Sequence, residues 1–191
     1  MAIVTTKNTV PIIEGGDGVE GTYSTEEGSR LTEQPKPSIT VRQPLLSEIL
    51  TKVHKAKNTK DKIKILKEED CLALRQICQW SFNPKIESQL PSGTPPYKEN
   101  DAPEGTEHTL LRTEGNGLWH FIKTNDKSAD PNLQQTVRER MFIRLLEGLH
   151  KDEAKLLCAV KEKSLHQVYK GCSSYVVKEA FGWNEEFQEY K

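Results

Sequence analysis

Of the 191 residues only four are cysteine, and no two of them form a Cys-x-x-Cys pair. Cys71 and Cys78 lie seven apart in a segment of helical spacing, so two turns would hold them roughly 10 Å apart, too far for a disulfide. With Cys158 and Cys172 they read as reduced, packed thiols of an intracellular compartment. Long apolar runs are missing too. No stretch approaches the roughly 18 residues of a membrane span, and the first seven residues lack a basic segment followed by an apolar block, so no membrane partner and no secretory signal is expected. Charge is abundant (29% of residues) but the net is only -1. That balance gives no global attraction to nucleic acid or membrane and confines electrostatic arguments to local patches.

Signatures of catalysis are equally scarce. The five histidines, His54, His108, His120, His150 and His166, show no metal-ligand spacing with one another, with cysteine or with acids. A Gly-x-Ser-x-Gly elbow, a phosphate loop and a dinucleotide fingerprint are all missing, and Gly115-Asn116-Gly117 alone is too little for a phosphate cradle. The expectation is a protein without enzymatic activity, cofactor or metal.

What the chain does have is a change of character near Pro44. Residues 1–44 carry Pro11, Pro35, Pro37 and Pro44 and five glycines between Gly15 and Gly28, which do not support helix interiors. This reads as a long extended arm, with two β-branched pieces, Thr9 to Ile13 and Ser38 to Arg42, suited to adding to the sheet edge of a partner. Val10, Ile12, Ile13, Ile39 and Val41 are its candidate partner-binding residues; a disordered tail is the plainer reading.

Residues 45–181 read as an all-α compact domain of six to seven short helices. Leu45, Leu46, Ile49, Leu50 and Val53 recur at helical spacing. Thr59 is expected to cap a second helix, Asp70 a third, which stops at Asn83-Pro84. A loop of about 20 residues rich in proline follows, too long to be a plain connector. A fourth helix is expected from about Thr106 to Lys123, kinked near Gly115 and Gly117. Asp130-Pro131 signals the start of a fifth, with Leu133, Val137, Met141, Phe142, Leu145, Leu146 and Leu149 inward and Arg138, Arg140, Arg144 and Glu147 elsewhere. Asp152 and Glu153 suit the start of a sixth, and Ser173 or Ser174 that of a last helix ended by Gly182. Residues 182–191 form an acidic and aromatic tail.

Pro95-Pro96-Tyr97-Lys98 with Asn100-Asp101, Phe142-Ile143-Arg144-Leu145-Leu146-Glu147, Asp152 through Leu157, Tyr169-Lys170-Gly171 and Val176 through Phe181 carry a resemblance. Over about residues 46–181 the chain resembles a family of uncharacterised proteins encoded by large tailed bacteriophages, including those of cyanobacteria and other marine bacteria. The arm lies outside the resemblance, and Gly115 to Gly117 and the segment with Cys172 depart from it. It implies a phage origin and a helical domain, and no mechanism.

Two sets of candidate contacts remain. Lys52, Lys55, Lys60, Lys62 and Lys64 crowd the first two helices and could meet phosphates or an acidic partner; without nearby arginine or aromatics they also fit a solvated face. Tyr97, Trp183 and Phe187 are candidate docking anchors, unless the C-terminal tail folds back onto the body. The expected function is a non-enzymatic phage binding protein, a structural or accessory component of the virion, present in the host cytoplasm during infection. Its partners would be virion subunits or further copies of itself, with nucleic acid less favoured. The alternative is a non-virion regulator that binds nucleic acid or the replication or transcription machinery.

Overall fold

A computed structural model describes residues 43–103, 108–125 and 127–189. All of them belong to the second of the two units into which the chain divides, residues 41–191. The candidate arm residues Val10, Ile12, Ile13, Ile39 and Val41 lie outside the described residues.

Eight α-helices are present among the described residues: α1 (Leu46–Lys55), α2 (Thr59–Glu68), α3 (Leu72–Phe82), α4 (Leu111–Glu114), α5 (Gln135–Gly148), α6 (Lys151–Lys161), α7 (Leu165–Val168) and α8 (Ser174–Phe181). The fold is therefore mostly helical, but the all-α expectation needs a correction. A small antiparallel sheet of three strands, β1 (Ile86–Ser88), β2 (Ile122–Thr124) and β3 (Lys127–Ser128), runs in the order β1-β2-β3. Ile86 faces Thr124 and Ser88 faces Ile122 across the first pair, and Lys123 faces Ser128 across the second.

The sheet exists because the expected fourth helix does not persist. After one turn, α4 tightens into a 3-10 segment, Gly115–Phe121, and Ile122 leaves as a strand. Gly115 explains the change: a Cβ there would lie 2.6 Å from the Ala73 Cβ, so only glycine permits this approach of the segment to α3.

Other local expectations shift for similar reasons. Asp70 does not cap α3. Its carboxylate takes a two-pronged bond from Arg75, Nε to Oδ1 at 2.8 Å and Nη2 to Oδ2 at 2.6 Å, and the residue before α3 is Cys71. The fifth helix starts at Gln135, not Pro131, because His120 and Arg138 hold Asp130 in a preceding turn. Ser173 does cap α8, accepting from the Val176 N–H, and Gly182 ends it in the left-handed region at φ 64°.

The core draws on α1 (Leu46, Ile49, Leu50, Val53), α3 (Leu74, Ile77, Trp80), α5 (Phe142, Leu146) and α6 (Leu156, Leu157, Val160). α2 packs against α1 and α8, α3 against α6, and α5 against α6. On α5 the buried line is Arg138, Phe142 and Leu146, continued by Leu149 just past its end, while Val137, Met141 and Leu145 are half-buried. The stripe read from the sequence is thus rotated by one position, and a charged residue stands in it.

The C-terminal tail folds back. Trp183 and Phe187 are only 3% and 5% exposed. Trp183 lies 4.9 Å from Phe181 and 6.0 Å from Phe187 between ring centroids. Gln79 Nε2 donates to the Phe187 carbonyl at 3.2 Å, and the Asn184 N–H donates to the Gln188 carbonyl at 2.8 Å. Residues 183–189 are therefore part of the domain and do not form a separate tail.

Candidate functional site

Three buried charged side chains organise the body. Glu153, 1% exposed, sits on the first turn of α6. Its Oε1 accepts from the Leu46 N–H at 2.9 Å and its Oε2 from the Leu111 N–H at 3.0 Å. One carboxylate thus satisfies orphan donors at the starts of two other helices, α1 and α4. Local spacing marks Glu153 only as a first-turn acid of its own helix, since nothing in it points to partners 107 and 42 residues away.

Arg138, 5% exposed, spreads its guanidinium over the turn before α5. Nε donates to the His120 carbonyl at 2.8 Å, Nη1 to Gln135 Oε1 at 3.0 Å, and Nη2 to the carbonyls of Asp130 at 3.0 Å and Leu133 at 3.2 Å. His120 Nδ1 in turn lies 2.7 Å from Asp130 Oδ2, and the Trp119 ring leans over the His120 ring with centroids 3.8 Å apart. His120 thus has its carboxylate partner, Asp130, ten residues along the chain.

Lys161, its side chain 2% exposed, holds the proline-rich loop. Its Nζ donates to the Pro91 carbonyl at 2.6 Å and pairs with Glu162, whose Oε1 also accepts from the Gly93 N–H at 2.9 Å. The hydrogen bond from Lys161, above all, holds the Glu162 carboxyl below its ordinary value. Farther along the loop, the Lys98 N–H donates to Glu147 Oε1 at 3.3 Å, and Glu99 pairs with Lys155 at 3.5 Å. A cavity of about 370 Å³ lies beneath Leu90 to Pro96, closed on the other side by Phe142, Ile143, Glu139 and Lys161.

The sequence-derived lysines separate. Lys60, Lys64 and Lys67 line one depression on α2 around half-buried Ile63, because residues four and three apart share a helix face. Lys62 is half-buried and does not line it. Lys64 pairs with Glu68 at 3.7 Å. Lys52, paired with Glu69 at 3.9 Å, and Lys55 line a different groove with Lys155, Glu48, Asp152 and Tyr169. The five residues are not one patch.

The docking anchors are corrected by burial. Trp183 and Phe187 are inside the core and present no aromatic face to a partner. Tyr97 is half-buried against the core, and burial raises its phenol above the ordinary value. The large apolar side chains that are exposed include Leu72, Val168, Tyr175 and Trp119. Hydrophobic periodicity does not distinguish an outward aromatic from an inward one at a helix end, so Trp119 and Tyr175 were not legible as surface residues.

No curated protein and no solved structure matches the chain. A family model matches residues 49–167, a span that contains Arg138, Glu153, Lys161 and the proline-rich loop. By that match the chain belongs to DUF6433, a family of unknown function.

Proposed function

We propose that this is a non-enzymatic bacteriophage protein that works by binding, as a structural or accessory component of the virion. Its helical body docks on a neighbour and residues 1–44 tie adjacent subunits. The observation behind this reading is that the described residues from Leu45 onward make a core among themselves. It is assembled from Leu45, 4% exposed, through Phe187, 5% exposed, with helix starts capped from within by Glu153. The body thus supplies its own apolar faces and its own caps. In this reading residues 1–44 reach out to partners, and fully extended they would span on the order of 100 Å or more. Many weak contacts along such a segment offset the entropy of ordering it. The phage origin rests on the resemblance carried by the motifs between Pro95 and Phe181. Mass spectrometry of purified virions of the encoding phage tests the proposal. Detection at stoichiometric amounts is expected, and absence overturns the virion role.

A second reading, a regulator that contacts nucleic acid during infection, draws on the common face of Lys60, Lys64 and Lys67. It expects binding of a DNA duplex that weakens steeply with salt and is lost on Lys60→Glu, Lys64→Glu and Lys67→Glu together, but not on Lys62→Glu. Salt-insensitive or undetectable binding removes it.

A further inference from the structure

The proline-rich loop from Leu90 is held in place more firmly than a connector requires, and the space it encloses is chemically mixed. Pro91, Pro95, Pro96 and Phe142 give the cavity of about 370 Å³ an apolar lining, and Lys161 and Glu139 add one cation and one anion. That volume suits a ligand of one or two side chains.

The two charged groups are incompletely used. An ammonium has three N–H donors. Among the described residues Lys161 finds two acceptors, the Pro91 carbonyl and Glu162 Oε1. Glu139 Oε1 accepts from Gln135 Nε2 at 2.8 Å, and Oε2 has no hydrogen-bond partner among the described residues. The residues lining the cavity thus include one ammonium N–H and one carboxylate oxygen that have no partner among the described residues.

The charge balance narrows the ligand. Glu162 already neutralises Lys161, and Glu139 lines the same space, so a carboxylate entering it meets net repulsion. A pure hydrocarbon would strip water from the remaining N–H and from Oε2 without replacing it. A peptide backbone carries both a carbonyl and an N–H and brings apolar side chains with it. We infer that the cavity beneath the proline-rich loop receives a short apolar stretch of a partner polypeptide, whose backbone carbonyl accepts from Lys161 and whose N–H donates to Glu139. This inference does not depend on whether the protein is in the virion.

The test is an amide-resolved NMR titration of the full chain with three probes: N-acetyl-leucine N-methylamide, N-acetylserine N-methylamide and 4-methylpentanoate. The leucine amide should give saturable shifts at Gly93, Thr94, Glu139, Ile143 and Lys161, with a dissociation constant on the order of millimolar for so small a probe. The serine amide and the carboxylate should each bind at least about tenfold more weakly. Ile143→Trp, which fills the cavity without touching the Lys161 clamp, should abolish the shifts. Glu139→Met should weaken binding about tenfold and guards against misfolding of the tryptophan variant. Absence of saturable shifts at those amides overturns the inference. So does carboxylate binding as tight as the amide, or leucine-amide binding unchanged in folded Ile143→Trp or in Glu139→Met.

Discussion

Glu153 and Leu46 are 107 residues apart in the chain, yet the carboxylate of the first accepts the backbone N–H of the second at 2.9 Å. The other oxygen of the same carboxylate accepts from Leu111, so α1, α4 and α6 are fixed to one another at a single buried point. Glu153→Ala leaves two buried N–H groups without this acceptor, and each such loss costs about 1–3 kcal/mol. The expected destabilisation is about 3 kcal/mol, read by urea denaturation, with Glu153→Gln keeping part of it. A change below about 0.5 kcal/mol would mean that neither bond matters.

Arg138 stands where an apolar residue would continue the Phe142 and Leu146 line. Its donors reach the Asp130 and Leu133 carbonyls of the turn that leads into α5 and the His120 carbonyl of the 3-10 segment. Arg138→Met should cost about 3 kcal/mol, since it removes a buried cation and orphans the acceptors around it. Amide shifts in the β2–β3 hairpin should move more than those of α1 and α2. Uniform small shifts would show that the guanidinium does not organise this region.

Trp183 packs between Phe181 and Phe187. Trp183→Ala is expected to destabilise the domain by about 3 kcal/mol or more, the scale of a buried aromatic deletion. An unchanged melting curve would restore the view of this residue as an exposed anchor.

Acidification should release the proline-rich loop. The Glu162 carboxyl lies below its ordinary value of 4.5, held there first by Lys161 and also by the Gly93 N–H. A depressed value in the folded state contributes stability that is fully present above the unfolded value. That contribution is lost as pH falls through the folded value. The Gly93 amide should therefore exchange faster with solvent, relative to core amides, as pH drops below 4.5, and Glu162→Gln should show no such step. Glu162 is 39% exposed, so the effect is local and not a collapse of the domain.

Removing residues 1–44 should leave the thermal midpoint within about 2 °C of the full chain, no more than the roughly 2–4 °C that a loss of about 1 kcal/mol produces in a domain of this size. Partner capture or assembly should fall sharply. A large drop in midpoint would mean that these residues contribute to the stability of the body, and the long-reach argument would fail with it.

Helix existence was legible where periodicity and punctuation agree. Leu46, Ile49, Leu50 and Val53 repeat at one face, Asn83-Pro84 stops α3, and Ser173 with Gly182 brackets α8, because these signals act within one or two turns of backbone. The failures lie where local signals compete with distant partners. Asp130-Pro131 is a good helix start in isolation, but His120 and Arg138 reach the aspartate first. Gly115 and Gly117 announced a weak helix, and only the packing of Gly115 on Ala73 decided that the chain would turn into a strand. The candidate site was less legible still. Lysines close together in sequence divide between two grooves, Lys52 and Lys55 lining one and Lys60, Lys64 and Lys67 the other. By itself the sequence determined a mostly helical, charge-balanced body preceded by a segment of different composition. Tertiary structure alone decided that Glu153, Arg138 and Lys161 are buried, since burying a charge is favourable only where the fold brings it backbone groups from far along the chain, and no local pattern records which groups those are.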